Sequence, residues 1–196
     1  MFKPLMQKTF DPWVAKAVKA KIHPDWFSVA GLVFAVLAAL SVLSSVYFST
    51  WLLWVPVLAF LRLVMNVFDG QVARGLKLQD PFGEVKNEFG DRLADMIMLG
   101  IFVLVPGINL RLLVAAMVLV LLLNYLGILS KAIGGHRNYG GFMGKADRMF
   151  VLSVACVGAY GLQSVAVFNW MFWVIAMGAL LSIGIRLRQI RQQNYS

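Results

Sequence analysis

The sequence predicts an all-α membrane protein, with six transmembrane helices preceded by an N-terminal interfacial amphipathic helix. Three observations lead there. Apolar residues make up 60% of the 196 positions, with 14 Phe and 6 Trp and a mean hydropathy of +0.77, outside the range of soluble domains. Six apolar runs lie near 27–48, 52–68, 93–108, 111–130, 149–166 and 168–185, approaching the roughly 20 residues that a spanning helix needs. The basic residues fall on alternate sides of those runs, as they do in multi-pass proteins.

Residues 1–26 form the first element. Pro4, Pro12 and Pro24 interrupt them and they lack a continuous apolar core, so a cleavable signal peptide is not expected. Within "FDPWVAKAVKAKI", Phe10, Trp13, Val14, Ala17 and Val18 recur at helical steps with Lys16 and Lys19 opposite. Asp11 and Pro12 are expected as N-cap and first-turn residue. This pattern predicts a juxtamembrane helix lying on the membrane surface.

The six runs then form one domain over 27–190, without internal repeat or long linker. Gly and Pro punctuate the connections at Pro106-Gly107, Gly134-Gly135 and Gly140-Gly141. Lys3, Lys8, Lys16, Lys19 and Lys21 precede the first span; Arg74, Lys77, Lys86 and Arg92 separate the second and third. Lys131, Arg137, Lys145 and Arg148 separate the fourth and fifth; Arg186, Arg188 and Arg191 follow the sixth, and Arg111 stands on the other side. The positive-inside rule thus predicts a multi-pass protein of the cytoplasmic (inner) membrane with both termini cytoplasmic. The net charge of +9 is accounted for by topology and anionic headgroups; charges that track the spans this closely argue against nucleic-acid binding. Cys156, the single cysteine, has no intramolecular partner and is expected to pack in a span.

Six of the nine acidic residues crowd into residues 66–95. Ionisable groups at membrane depth are costly and mark function. Arg62, Asn66, Asp69, Gly70 and Ala73 recur at three- and four-residue steps, as do Gly83, Asn87, Asp91 and Asp95, so two helices joined by "GLKLQDPF" present polar faces. Converging oxygen ligands suit a hard cation such as Mg2+ or Mn2+, which implies phosphate. Arg74 is a natural phosphate partner, and Gly70 and Gly83 permit close backbone approach. The plainer alternative is a cytoplasmic hairpin with solvated charges. Arg62 is expected to pair with Asp69 or a phosphate, or to snorkel. His23 and His136 are read as interfacial or surface residues, and Asn124, Tyr125 and Tyr139 as packing or interfacial groups.

These residues resemble the signature of the CDP-alcohol phosphotransferase family, D-x2-D-G-x2-A-R-x8-G-x3-D-x3-D. Asn66, Asp69-Gly70, Ala73-Arg74, Gly83, Asn87 and Asp91 keep every spacing, with Asn at two of the four Asp positions. A shifted register using Asp91 and Asp95 as the last two aspartates would put Asn87 where the family has Gly, whereas Gly83 stands at the family's gap from Arg74. "HPDWFSVAGL", at 23–32, is similar to the family's P-N-x-L-T-x2-G segment.

The resemblance implies a homodimeric membrane enzyme of phospholipid synthesis. In it, two divalent cations hold the diphosphate of a CDP-linked alcohol, commonly CDP-diacylglycerol, while a second alcohol attacks the β-phosphorus and CMP leaves. Carried over, Asn66, Asp69, Asn87 and Asp91 are metal ligands, Asp91 is also the general base, and Gly70, Ala73, Arg74 and Gly83 contact CDP. The chain departs in its two amides, which remove two negative charges; Asp95, Glu84 or Glu88 is expected to supply replacement charge, with Asp95 counted among the metal ligands. Asp80 stands near a position where the family often has a hydroxyl. Arg137, Lys145 and Arg148 are expected to bind an anionic or phosphorylated acceptor, or to be topological charges only. The amides keep a second reading open: a homologue that binds nucleotide or lipid headgroup without turnover. A transporter is disfavoured because the midplanes are nearly uncharged.

Overall fold

The computed structural model describes residues 2–78, 80–133 and 140–193. These residues form helices and connections, with no strand among them. In chain order the helices are α1 (Phe2–Lys19), α2 (Asp25–Ser44), α3 (Trp54–Gly75), α4 (Pro81–Gly100), α5 (Leu110–Ala132), α6 (Lys145–Leu162) and α7 (Ala166–Gln193). Short 3-10 turns occupy Ser49–Leu53 and Ile101–Leu104.

Among the described residues four helices, not six, are long and apolar enough to cross a membrane: Asp25–Ser44, Ser49–Gly75, Leu110–Ala132 and Ala166–Gln192. The run at 93–108 is not one helix, because α4 ends at Gly100 and a 3-10 turn follows. Most of α4's length is the charged stretch from Glu84 to Asp95. The run at 149–166 is divided between two helices, since α6 stops at Leu162 and Gln163 turns the chain with φ 49°. Lys145, Asp147 and Arg148 take up the first turn of α6, which has only 18 residues. An apolar run counts as a span only when one uninterrupted helix carries it, and local caps and charges decide that.

The chain divides into two compact units. The first comprises Met1–Leu40 and Val57–Met98. Here α1 starts well before Asp11 and runs through Pro12, so the expected N-cap is not a boundary; the helix continues without the ladder bond that the missing N–H would make. Its apolar face packs inward. Val14 and Ala17 are buried with Val72 of α3, flanked by Val18, Phe27, Phe68 and Leu76. The Phe68 ring stacks at tilted angles between Phe10 (5.8 Å) and Phe27 (5.4 Å). Trp13 stays exposed, with the Lys16 ammonium 4.9 Å above its ring.

The α1–α3 contact is close enough to test. A Cβ on Gly75 would stand 2.6 Å from Val18 Cγ2, and the β-branched valine has little rotamer freedom to yield. Gly75→Ala is expected to destabilise the protein by about 1–3 kcal/mol through overpacking. Adding Val18→Ala should recover much of that loss, as read by thermal unfolding in detergent.

The second unit comprises Ser41–Pro56 and Leu99–Ser196. Its core lies among α5, α6 and α7, where Leu113, Ala116, Leu123, Leu152, Ile175 and Ala179 are buried. Phe102 meets Phe168 at 4.8 Å and Phe172 at 5.3 Å, edge to face, and Cys156 is fully buried. Val33 and Leu40 on α2, Val114 and Val118 on α5, and Trp173 and Leu181 on α7 are exposed. Such apolar surface suits hydrocarbon rather than water, and the chain is an integral membrane protein.

Candidate active site

The site lies within the first unit, on the antiparallel hairpin of α3 and α4. Helix α3 ends where Lys77 enters the left-handed region (φ 56°) and Leu78 N–H donates back to Ala73 O at 2.9 Å. Asp80 then caps α4, its Oδ1 accepting from Gly83 N–H at 2.6 Å, with Pro81 as the first helical residue. This accounts for the acid at position 80: its carboxylate starts a helix. It also gives Gly83 a local reason, because a Cβ there would collide with Asp80 Oδ1.

Facing residues of the two helices meet in successive turns. Asn66 Nδ2 donates to Asp91 Oδ1 at 3.1 Å and to Asn87 Oδ1 at 3.3 Å. One turn further from the hairpin tip, Arg62 Nη2 donates to Asp95 Oδ1 at 2.9 Å. Both of these side chains are almost wholly buried, at 2% and 1% exposure. Arg62, expected to pair with Asp69 or a phosphate or to snorkel, is thus an interior residue bonded to Asp95. The Asp95 carboxylate also has Arg92 Nη1 at 3.9 Å, while Glu88 is paired with Arg92 at 2.6 Å.

Helix α2 supplies the third wall. Ser28 Oγ donates to Asp69 Oδ2 at 2.6 Å, and Lys86 of α4 pairs with Asp25 at 2.7 Å. The Asp25 carboxylate holds the Lys86 ammonium above its ordinary pKa, so that tie persists throughout the neutral range. The walls enclose a cavity of about 600 Å³. Asp69, Gly70, Ala73, Arg74, Gly83 and Asn87 line it, together with His23, Ser28, Lys77 and Glu84. Six of the eight signature positions therefore share one cavity, and the other two, Asn66 and Asp91, are bonded to each other beside Asn87.

A family model described as CDP-alcohol phosphatidyltransferase matches residues 21–141, which include all of these positions. The chain belongs to the CDP-alcohol phosphatidyltransferase family. It is similar to the inner membrane protein YnbA of Escherichia coli (strain K12), 29% identical over 181 residues that cover 92% of this chain and 87% of that protein. In fold it is similar to phosphatidylinositol phosphate synthase of Mycobacterium tuberculosis. The structure of that enzyme with CDP-DAG bound superposes with a TM-score of 0.71 at 18% identity, covering 91% of this chain and 92% of that one. The structure with manganese and citrate gives 0.73 at 18% identity, covering 91% and 87%.

In this family member the polar faces of α3 and α4 offer two carboxylates, Asp69 and Asp91, and two amides. Among the described residues no group of three His, Cys, Asp or Glu side chains gathers as a metal cluster, which agrees with amides at two signature positions. The oxygen-rich donor set still fits a hard cation. Turning the Asn66 amide over exchanges its nitrogen for its oxygen with no change of shape.

Of the basic residues expected to bind the acceptor, Arg137 lies outside the described residues, as do His136 and Tyr139. Lys145 and Arg148 belong to the second unit, at the start of α6. Arg148 is 1% exposed and donates to Met143 O at 2.9 Å. Two further residues were not singled out by sequence reasoning. Arg186, read as a topological charge, is buried and bridges Leu123 O (2.6 Å) and Gly140 O (2.9 Å). Ser28 carried a legible signal, since it stands at the hydroxyl position of the P-N-x-L-T-x2-G segment.

Proposed function

We propose that this protein is a metal-dependent CDP-alcohol phosphotransferase of phospholipid synthesis. It moves a substituted phosphate from a CDP-linked alcohol, with CDP-diacylglycerol as the leading donor, to a second alcohol, and it releases CMP. The observation that carries this reading is the single cavity lined by Asp69, Gly70, Ala73, Arg74, Gly83 and Asn87, with Asp91 hydrogen-bonded to Asn66 beside it. The phosphatidylinositol phosphate synthase structures, one with CDP-DAG and one with manganese, support the donor class and the metal.

In this mechanism the CDP diphosphate lies along the α3–α4 hairpin, against Gly70 and Gly83. Arg74 pairs with the diphosphate as a permanent cation. Asn66, Asp69, Asn87 and Asp91 are the residues that hold Mg2+ or Mn2+, which when bound neutralises charge on the transferring phosphoryl group. Ser28 fixes the rotamer of Asp69 through its 2.6 Å bond. Asp91 takes the proton of the acceptor hydroxyl as its oxygen attacks the β-phosphorus. The bond from that phosphorus to the CMP oxygen breaks, and CMP carries the electron pair away. Asp95, neutralised by its ion pair with Arg62, stands behind this set. Arg137, Lys145 and Arg148 bind an anionic or phosphorylated acceptor. The protein works as a homodimer in the cytoplasmic membrane, with both termini and the site on the cytoplasmic side.

A second reading is favoured by one specific contact. The Asn66 amide already satisfies Asp91 and Asn87, as a site that binds nucleotide or headgroup without turnover would. Purified protein with CDP-diacylglycerol, Mg2+ or Mn2+ and a panel of alcohols separates the two. CMP release that depends on both metal and acceptor is expected. Nucleotide binding with no release for any acceptor or metal would establish the binding role and overturn the enzyme.

A further inference from the structure

We propose that the buried Arg62–Asp95 pair is a positioning device, setting the register of α4 on α3 and through it the carboxylate of Asp91. The proposal rests on the phosphotransfer reading only in treating Asp91 as the base.

Arg62 reaches three positions of α4 from one position of α3. Its Nη2 donates to Asp95 Oδ1 at 2.9 Å and to the backbone oxygen of Asp91 at 3.2 Å. Its Nη1 lies 3.6 Å from Met98 Sδ. These positions follow one another along a single face of α4, spanning about two turns. The planar guanidinium donates in fixed directions, so sliding α4 by one residue, a rise of about 1.5 Å with a rotation of about 100°, breaks all three contacts. Apolar side chains in the same space would tolerate such a shift.

The neighbouring turn toward the hairpin tip is the one that matters for chemistry. There Asn66 meets Asp91 and Asn87, and its donor geometry depends on the register that Arg62 sets. One of the Arg62 contacts is to Asp91 itself, at the main chain, so the orientation of that residue is held from both sides: its carbonyl by Arg62 and its carboxylate by Asn66. Stability alone does not account for the pair, because burying two charges is generally no better than burying apolar residues of equal volume. Directionality is what the ion pair adds.

The test replaces both partners, Arg62→Met with Asp95→Leu, in the full-length protein in lipid nanodiscs. Spin labels go on cysteines at Phe60 of α3 and Leu93 of α4, both exposed, in a Cys156→Ala background. The double variant is expected to fold, to show a broadened interspin distance distribution, and to lose about 10²-fold in kcat for CMP release, as small misplacements of reacting groups do. KM for CDP-diacylglycerol should stay within about threefold, because uniform binding is not what is lost. Arg62→Lys, which keeps the charge and one direction of contact, should recover part of kcat, whereas Arg62→Met should not. A folded double variant with unchanged distances, or with unchanged kcat, overturns the proposal. If the unsubstituted protein releases no CMP, the reaction assignment falls, while the distance distributions still decide the register.

Discussion

Asp91→Asn is expected to lower CMP release by about 10²–10⁴-fold, the usual contribution of a positioned general base, with little change in stability. The substitution is isosteric and keeps an oxygen in reach of Asn66 Nδ2, now 3.1 Å from the carboxylate, so the hairpin should survive. In the proposed mechanism, what disappears is the proton acceptor and, by sequence, one of the two carboxylates among the four signature positions, leaving Asp69 alone. The loss should fall on kcat at saturating donor. Mn2+ affinity, followed by its paramagnetic signal, should weaken as well if Asp91 is a ligand as proposed, because an amide binds a hard cation less strongly than a carboxylate. A variant that retains most of its turnover would remove Asp91 from the chemistry and move the search for the base to Asp69.

Arg62→Met alone is expected to cost about 3–5 kcal/mol, since it strands a buried carboxylate without its cation. Asp95 is fully buried, and Arg92, 3.9 Å away, remains beside it, which should hold the loss toward the lower end of that range. Even so, the loss is a large share of a typical folding free energy of about 5–15 kcal/mol. Combining it with Asp95→Leu should restore most of the stability, because the desolvation problem leaves with the charge. Unfolding of the three variants in one detergent measures this. A single variant as stable as the unsubstituted protein would show that Asp95 is satisfied by other groups.

Much of the site was legible in the sequence. Residues three and four apart on a helix share a face whatever surrounds them, so the faces carrying Asn66, Asp69 and Ala73, and Gly83, Asn87 and Asp91, followed from spacing alone. The apolar runs were likewise local signals. The count of spans was less secure. Hydropathy sums over a window, while an α-helix ends where its hydrogen-bond ladder changes or a left-handed residue stops it, as where α4 gives way to a 3-10 turn after Gly100 and as at Gln163.

What the sequence by itself determined is the membrane character, the helical class and which polar residues share each helix face, because these depend on composition and on the α-helical period. Only the tertiary structure decided which groups meet. Asp95 could be counted as a ligand until Arg62 was found against it, Asp80 was a misplaced acid until it capped α4, and Ser28, at a hydroxyl position of the entry segment, had no named partner until it reached Asp69. Each of those contacts joins residues through packing, cap geometry or a register between helices. Charge and hydrogen-bonding capacity are written in the residue, but the partner that satisfies them is chosen by distances that exist only in the fold.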